Sequence, residues 1–306
     1  MYPLKLKPAF KDYIWGGNRL KTLFNMESDL DKIAEAWVLS CHKDGESIVA
    51  NGEYEGLALS QAIEKMGRVC LGTNGQKFDF FPILIKLIDA KDNLSIQVHP
   101  DDEYALIVEG EYGKTEMWYI VDCEPGAFLY YGFNREIDKE EFARRIEQNT
   151  LLEVLNKVEV KKGDCFFIKA GTIHAIGKGL LVAEIQQNSN TTYRVYDYGR
   201  VGKDGKPREL HIDKALQVTE LGPAKNYTSA DPSTLAECEY FSVKKLNLKG
   251  ALEIDVDDSS FVSLLSLGGS YTLGDLTVNA GECVFLPAGF GKATLKGNAE
   301  ILLSRV

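Results

Sequence analysis

Hydrophobic and polar positions alternate with period two along much of the chain. The runs "FPILIKLID", "SIQVHP", "EMWYIVD", "AFLYYGF", "DCFFIKAG", "LLVAEIQQ" and "TTYRVYDY" are rich in β-branched and aromatic residues and predict strands. Helical spacing is rarer. "LSQAIEKMG" predicts one helix, and "PDDEYALIVEG" another, opened by carboxylates that suit a helix N-terminus. "DKEEFARRIEQNTLLEVLNKV" predicts a helical pair and "HIDKALQVTEL" a further helix. The fold class expected is therefore mainly β with helical additions.

Residues 222–240 lack periodicity and hold two prolines, so they predict a linker. Beyond them, 241–306 return to short strands punctuated by glycine, which predicts a small all-β unit. An internal repeat links the two halves. "GDCFFIKAGTIH" (163–174) and "GECVFLPAGFGK" (281–292) align without gaps. Each is a glycine turn, a buried strand, an Ala-Gly turn and a presented side chain. That side chain is His174 in the first copy and Lys292 in the second, so a metal site in the first would be missing from the second. Two units sharing this element suggest duplicated barrels.

Composition narrows the function classes. The chain has 306 residues, 44% hydrophobic, enough for one large core or two smaller ones. The formal net charge of −10 removes a chain-wide basic footprint for nucleic acid. No run is apolar enough to span a membrane, and the N-terminus "MYPLKLKPAFKDYIWGG" lacks an apolar signal core, so a soluble cytoplasmic protein is expected. The six cysteines form no CxxC and are expected to be small buried hydrophobes in a reducing compartment. Nothing in the pattern sets an oligomeric state. "YGRVGKDGKPREL" contains neither GxGxxG nor a Walker motif and is expected to be a loop.

The four histidines separate into two kinds. His42 lies in the polar turn "SCHKDGES" and His211 at a helix start, and structural roles are expected for both. His99 and His174 emerge from apolar, strand-rich surroundings. In "SIQVHP", alternation puts Ser95, Gln97 and His99 on one face and Leu94, Ile96 and Val98 on the other. In "GKTEMWYIVD" it puts Lys114, Glu116 and Trp118 together. The polar face is either wet or turned into a cavity. In the cavity reading, two imidazoles, a carboxylate and an amide oxygen make a mixed N/O site for zinc or another divalent transition metal.

The motifs "LSIQVHPDDEYA", "GKTEMWYI", "KAGTIHAI" and "NTTYRVYDYGR" resemble those of the type I mannose-6-phosphate isomerases, or phosphomannose isomerases, of the cupin superfamily. "YIWGGNRL", "EAWVLSCHKDGESIVANG" and "ELHIDKALQV" are similar to that family too, so the resemblance covers about residues 1–220. It implies two cupin-like jelly-roll barrels, the second degenerate and without metal. The catalytic unit would be 1–221, with helical insertions near 50–70 and 135–158, followed by a 222–240 linker and a degenerate unit at 241–306. It implies one zinc per chain on Gln97, His99, Glu116 and His174, and a sugar-phosphate substrate. The activity implied is interconversion of mannose 6-phosphate and fructose 6-phosphate through a cis-enediol. Arg194 matches the family's active-site arginine and is assigned to charge stabilisation or phosphate contact. Lys114 is a candidate acid/base group, its amine open to deprotonation by desolvation and the adjacent cation. Lys86, Ser95 and Trp15 are candidate substrate-binding residues. The sequence departs from the longer relatives at Asn190, where many carry Asp, and asparagine is not a general base. Lys169 stands where the usual cupin motif has proline, as Pro287 does in the second copy. The competing readings are another cupin metalloenzyme, for instance an oxygen-using one, and a non-catalytic sugar-phosphate-binding paralogue.

Overall fold

The computed structural model describes residues 1–306 other than 203, 204, 226, 228 and 230. Two antiparallel sheets face each other over one apolar cluster. A six-stranded sheet runs Cys165–Ile168, Glu116–Cys123, Leu180–Gln187, Ile83–Ala90, Glu35–Leu39, Ala9–Lys11. A five-stranded sheet runs Leu155–Glu159, Phe128–Phe133, His174–Ile176, Ile96–Val98, Tyr193–Tyr196.

The alternation read from the sequence sets the layering. On the six-stranded sheet, Ile85, Leu87, Met117, Tyr119, Ala183 and Ile185 share a cluster with Phe241, Leu265, Phe285 and Leu302 of the C-terminal strands. The side chains of opposite parity, Ile88, Trp118, Ile120, Leu180 and Val182, share a cluster with Leu129, Tyr131 and Ile176 of the five-stranded sheet. The back of that sheet, including Ile96 and Val98, packs on Phe142, Ile146 and Ala215 of two helices. These residues are fully or almost fully buried, so truncating a large one to Ala costs roughly 2–5 kcal/mol. The inter-sheet face is thus a rigid frame.

The helices start as the sequence predicts. Asp101 caps Asp102–Val108 by accepting from the Tyr104 N–H, and Asp138 caps Lys139–Glu147 by accepting from the Glu141 N–H. The expected helical pair is corrected in its second half. Asn149 takes a positive φ of 56°, a short 3₁₀ turn follows at Leu151–Val154, and Leu155–Glu159 is a strand paired with Phe128–Phe133. Sheet pairing outweighed the helix propensity of "LEVLNKV". The segment expected as a linker also holds a strand, Thr234–Glu237, paired with Ser242–Val256; its residues 226, 228 and 230 lie outside the described residues.

The C-terminal strands form an eight-stranded sheet that also recruits Leu4–Lys7, paired with Cys283–Leu286, and Ile48–Val49. Its second apolar face carries Leu264, Tyr271, Val284, Leu295 and Ile301. The first and last parts of the chain are therefore tied into one sheet. No helix among the described residues is long and apolar enough to cross a membrane.

Candidate active site

The inter-sheet face that buries Trp118 and Ile88 also buries charge. Lys86, Glu116 and Glu184 share the parity of Ile88, Trp118 and Val182, and cross-strand register brings Glu184 opposite both Lys86 and Trp118. From the facing sheet, Gln97 lies opposite His174 on one side and Arg194 on the other. Residues scattered from 35 to 194 meet because neighbouring strands in both sheets put the same parity inward.

His99, Glu116 and His174 form the centre, and their ligand atoms all lie within 4.8 Å of one another. Glu116 Oε1 is 3.3 Å from His174 Nε2 and its Oε2 is 3.7 Å from His99 Nε2. Each imidazole is oriented from behind. His99 Nδ1 is 2.8 Å from the Thr191 carbonyl and His174 Nδ1 is 2.8 Å from the Thr172 carbonyl. A carbonyl only accepts, so each Nδ1 carries the proton and each Nε2 presents a lone pair to the centre. Both Glu116 oxygens are buried and receive no hydrogen bond. Lys114 Nζ, 3.3 Å from Oε2, is the one cation beside this buried carboxylate among the described residues; a buried carboxylate so sparsely satisfied is costly, and a cation bound there would relieve that cost.

Electrostatics agree. Burial, and then the Glu184 carboxylate, push Glu116 up to about 8. Burial holds His174 at about 4 and His99 well below the ordinary imidazole range. Two neutral imidazoles and a buried carboxylate are a donor set suited to a divalent transition metal. Gln97, the fourth expected ligand, presents its amide nitrogen 3.4 Å from His174 Nε2; turning the amide over brings its oxygen to the centre.

Lys114 joins this centre to a cavity of about 270 Å³. Its Nζ is 3.2 Å from His99 Nε2 and 3.3 Å from Glu116 Oε2. The same cavity is lined by Trp15, Lys86, Ser95, Gln97 and Arg194, so every residue singled out for substrate contact in the sequence faces it. Ser95 Oγ accepts from Arg194 Nε at 3.2 Å. Lys86 is already matched by acid, with Glu184 at 3.1 Å and Glu35 at 3.9 Å. Burial pulls Lys86 down, but Glu184, Glu35 and Glu116 outweigh it and leave it raised. Burial also opposes ionisation of Glu184, yet Lys86 and Lys114 hold it below the usual carboxylate range. The indole N–H groups of Trp37 and Trp118 fix Glu35 and Glu184 at 2.7 and 2.8 Å.

One residue lies where alternation did not put it. Leu94 joins Trp15 and Trp118 and lines the cavity instead of packing outward with Ile96 and Val98. The strand begins only at Ile96, so the period-two rule does not reach it.

Glu35, Glu184, Thr192, Arg208 and Tyr13 also line the cavity and were not singled out. Glu184 carried a readable signal, a lone acid on the inward parity of "LLVAEIQQ". Arg208 carried none. It lies in the segment expected to be a loop, whose residues 203 and 204 are outside the described ones, and only the fold brings it back to Asp197 at 2.5 and 2.8 Å. Asn190 lines the cavity too, and its side-chain amide donates to Asp44 at 2.8 Å. His211, expected to play a structural role at a helix start, makes no side-chain cap and accepts the Arg194 N–H through Nδ1 at 3.3 Å.

Comparison with known proteins meets this geometry. Residues 3–120 match the model of the phosphomannose isomerase type I catalytic domain, and 232–306 that of the mannose-6-phosphate isomerase cupin domain. Mannose-6-phosphate isomerase ManA of Bacillus subtilis is 41% identical, with 99% of each chain covered. The chain belongs to the type I phosphomannose isomerase family. A mannose-6-phosphate isomerase of Streptococcus mutans is 37% identical over 99% of this chain and 98% of its own. The crystal structure of a mannose 6-phosphate isomerase from Bacillus subtilis superposes with a TM-score of 0.91 at 38% identity, covering all of both chains. The resemblance carried by the sequence motifs is borne out.

Proposed function

We propose that the chain interconverts mannose 6-phosphate and fructose 6-phosphate through a cis-enediol, with one zinc ion held by Gln97, His99, Glu116 and His174. The observation that carries this reading is the buried Glu116 carboxylate, its oxygens without a well-aligned hydrogen bond, between two imidazole lone pairs and beside a cavity lined by two arginines. When bound, the metal would supply Lewis-acid stabilisation of negative charge developing on the sugar's O1 and O2.

The remaining work falls to the chain's own residues. Arg194 and Arg208 form the cationic corner for the 6-phosphate, the group that guanidinium forks bind best. Burial first, and then the neighbouring Arg208, lower Arg194 from the ordinary guanidinium value, so an anion between them is favoured from both sides. Lys114 brings an ammonium to the edge of the centre and is placed to donate to the oxygen on which charge develops. Glu184, kept ionised and oriented by Trp118, is the cavity carboxylate placed to carry the proton between C1 and C2. Lys86, itself paired with Glu35, holds Glu184 in place, and Trp15 and Leu94 exclude water from one wall.

We also read the two halves as cupin-like jelly-roll barrels, the second without metal. The catalytic unit is then 1–221, with the second unit beginning at the strand Thr234–Glu237 and the linker shortened accordingly. A cytoplasmic setting suits a sugar-phosphate substrate.

The test is a coupled isomerase assay on mannose 6-phosphate, before chelation, after it and after zinc is restored, with metal content measured in parallel. Turnover that disappears with the metal and returns with zinc is expected. A fully zinc-loaded protein without turnover overturns the reading.

A further inference from the structure

Glu111 lines a separate cleft of about 560 Å³ and does not line the catalytic cavity. Its carboxylate nevertheless grips the strap that orients a proposed metal ligand. Oε2 accepts from the Asn190 backbone N–H at 3.3 Å and from Thr191 Oγ1 at 3.4 Å. His42 Nε2 stands 3.4 Å from the same oxygen. The Asp44 N–H donates to His42 Nδ1 at 3.1 Å, so the ring proton sits on Nε2, facing Glu111. Asp44 in turn accepts from the Asn190 side chain at 2.8 Å, and Lys43 pairs with Glu111 Oε1 at 2.7 Å. The strap is thus held by its backbone and by its side chains.

What the strap does is visible on its other face. The Thr191 carbonyl receives the His99 Nδ1–H at 2.8 Å, and Asn190 and Thr192 line the catalytic cavity. The segment that Glu111 holds, through the Asn190 N–H and the Thr191 hydroxyl, carries the Thr191 carbonyl that sets the tautomer and ring angle of His99.

We propose that Glu111, backed by His42, is a positioning residue: it fixes the Asn190–Thr191 segment by the Asn190 N–H and the Thr191 hydroxyl and through the Thr191 carbonyl sets His99 for metal binding. This rests on the metal site proposed above. Groups that orient a metal-bound histidine are typically worth about 10- to 100-fold in metal affinity or activity. Glu111 acts through the intervening Asn190–Thr191 segment, so the lower end of that range applies.

The experiment measures zinc affinity by competition with a chromophoric chelator, and kcat and KM for mannose 6-phosphate, in wild type, Glu111→Ala, Glu111→Gln and Lys43→Ala. Glu111→Ala is expected to bind zinc about 10-fold more weakly and to lose kcat with little change in KM. Glu111→Gln keeps an acceptor oxygen and should recover most of both. Lys43→Ala, which releases only Oε1, should match wild type. Equal losses in Lys43→Ala and Glu111→Ala would place the effect on charge and overturn the inference, as would unchanged zinc affinity in Glu111→Ala. Should Glu111→Ala not fold, His42→Asn reads the same network: zinc weakened roughly 3- to 10-fold supports the inference and unchanged affinity overturns it. A wild type that binds zinc without isomerase turnover overturns the proposed function alone, and the affinity series still decides this inference. A wild type that binds no zinc overturns both.

Discussion

The two copies of the repeated element use one backbone design for different ends. In each, a left-handed glycine precedes a four-residue strand and a second one follows it: Gly163 at φ 91° and Gly171 at 88°, Gly281 at 84° and Gly289 at 73°. The copies part at the last residue. His174 is fully buried, opposite Gln97 in the five-stranded sheet, with its ring against Glu116 and Trp118. Lys292 is exposed and pairs with Glu253 at 2.8 Å, one residue into a long strand. The turn chemistry fixes where the side chain leaves the backbone. What it meets depends on the sheet that receives it.

The sharpest way to break this comparison is to truncate both ends. His174→Ala removes an inward donor and is expected to lower kcat/KM by on the order of 10³-fold or more, since a metal's charge stabilisation is worth several kcal/mol and each 1.36 kcal/mol is tenfold. Lys292→Ala should leave turnover unchanged and stability within about 0.5 kcal/mol. Steady-state kinetics with metal analysis checks both.

The next effect tests whether the first region alone answers to substrate. Arg208→Ala should raise KM for mannose 6-phosphate about 10- to 100-fold, the equivalent of a charged hydrogen bond of roughly 1.5–3 kcal/mol. The assay on mannose 6-phosphate would count against the phosphate corner if KM held steady.

A smaller and shared effect is expected at the turns. Gly171→Ala and Gly289→Ala each force a side chain into the left-handed region, at roughly 1–2 kcal/mol. A Cβ at 171 would also meet the Val218 carbonyl at 3.0 Å, and one at 289 the Asp258 carboxylate at 2.5 Å. Both should melt about 2–4 °C lower per kcal/mol lost. Only Gly171→Ala should also slow turnover, because His174 follows that turn.

The smallest effect concerns ion pairs. Burial works against ionisation of Asp197, but Arg208 and Arg200 outweigh it and hold the carboxyl below its ordinary value. The folded state therefore binds the proton less readily than the unfolded chain. The stabilisation is present above the ordinary value near pH 4 and lost as pH falls through the lowered folded value. Asp197→Asn should be less stable than wild type at pH 7, and the gap should close in acid melts. Glu253→Gln, breaking an exposed pair, should change stability by less than about 0.5 kcal/mol at any pH.

Much of this architecture was written in the alternation. Strands carrying Gln97, Glu116, Arg194 and Lys86, with His99 one residue past the end of its own, were legible because a polar residue at a fixed parity inside an apolar run has nowhere to go but inward or to water. The same rule would have found Glu184. It failed at Leu94, just outside its strand, and at "LEVLNKV", where helix spacing gave way to pairing with Phe128–Phe133. Asn149 at a positive φ marks where the helix stops.

What the amino-acid order determined by itself is the period-two faces, the glycine turns, the capping acids and the family motifs, because each depends on neighbours only a few residues away. What only the tertiary structure decided is which polar faces meet. Arg208 reaches Asp197, Glu111 reaches the Asn190–Thr191 strap, and Lys86 finds two acids across adjacent strands. Those contacts are made by sheet register and by the closure of two sheets over a common core. Both are set by the sum of many buried side chains rather than by any local pattern.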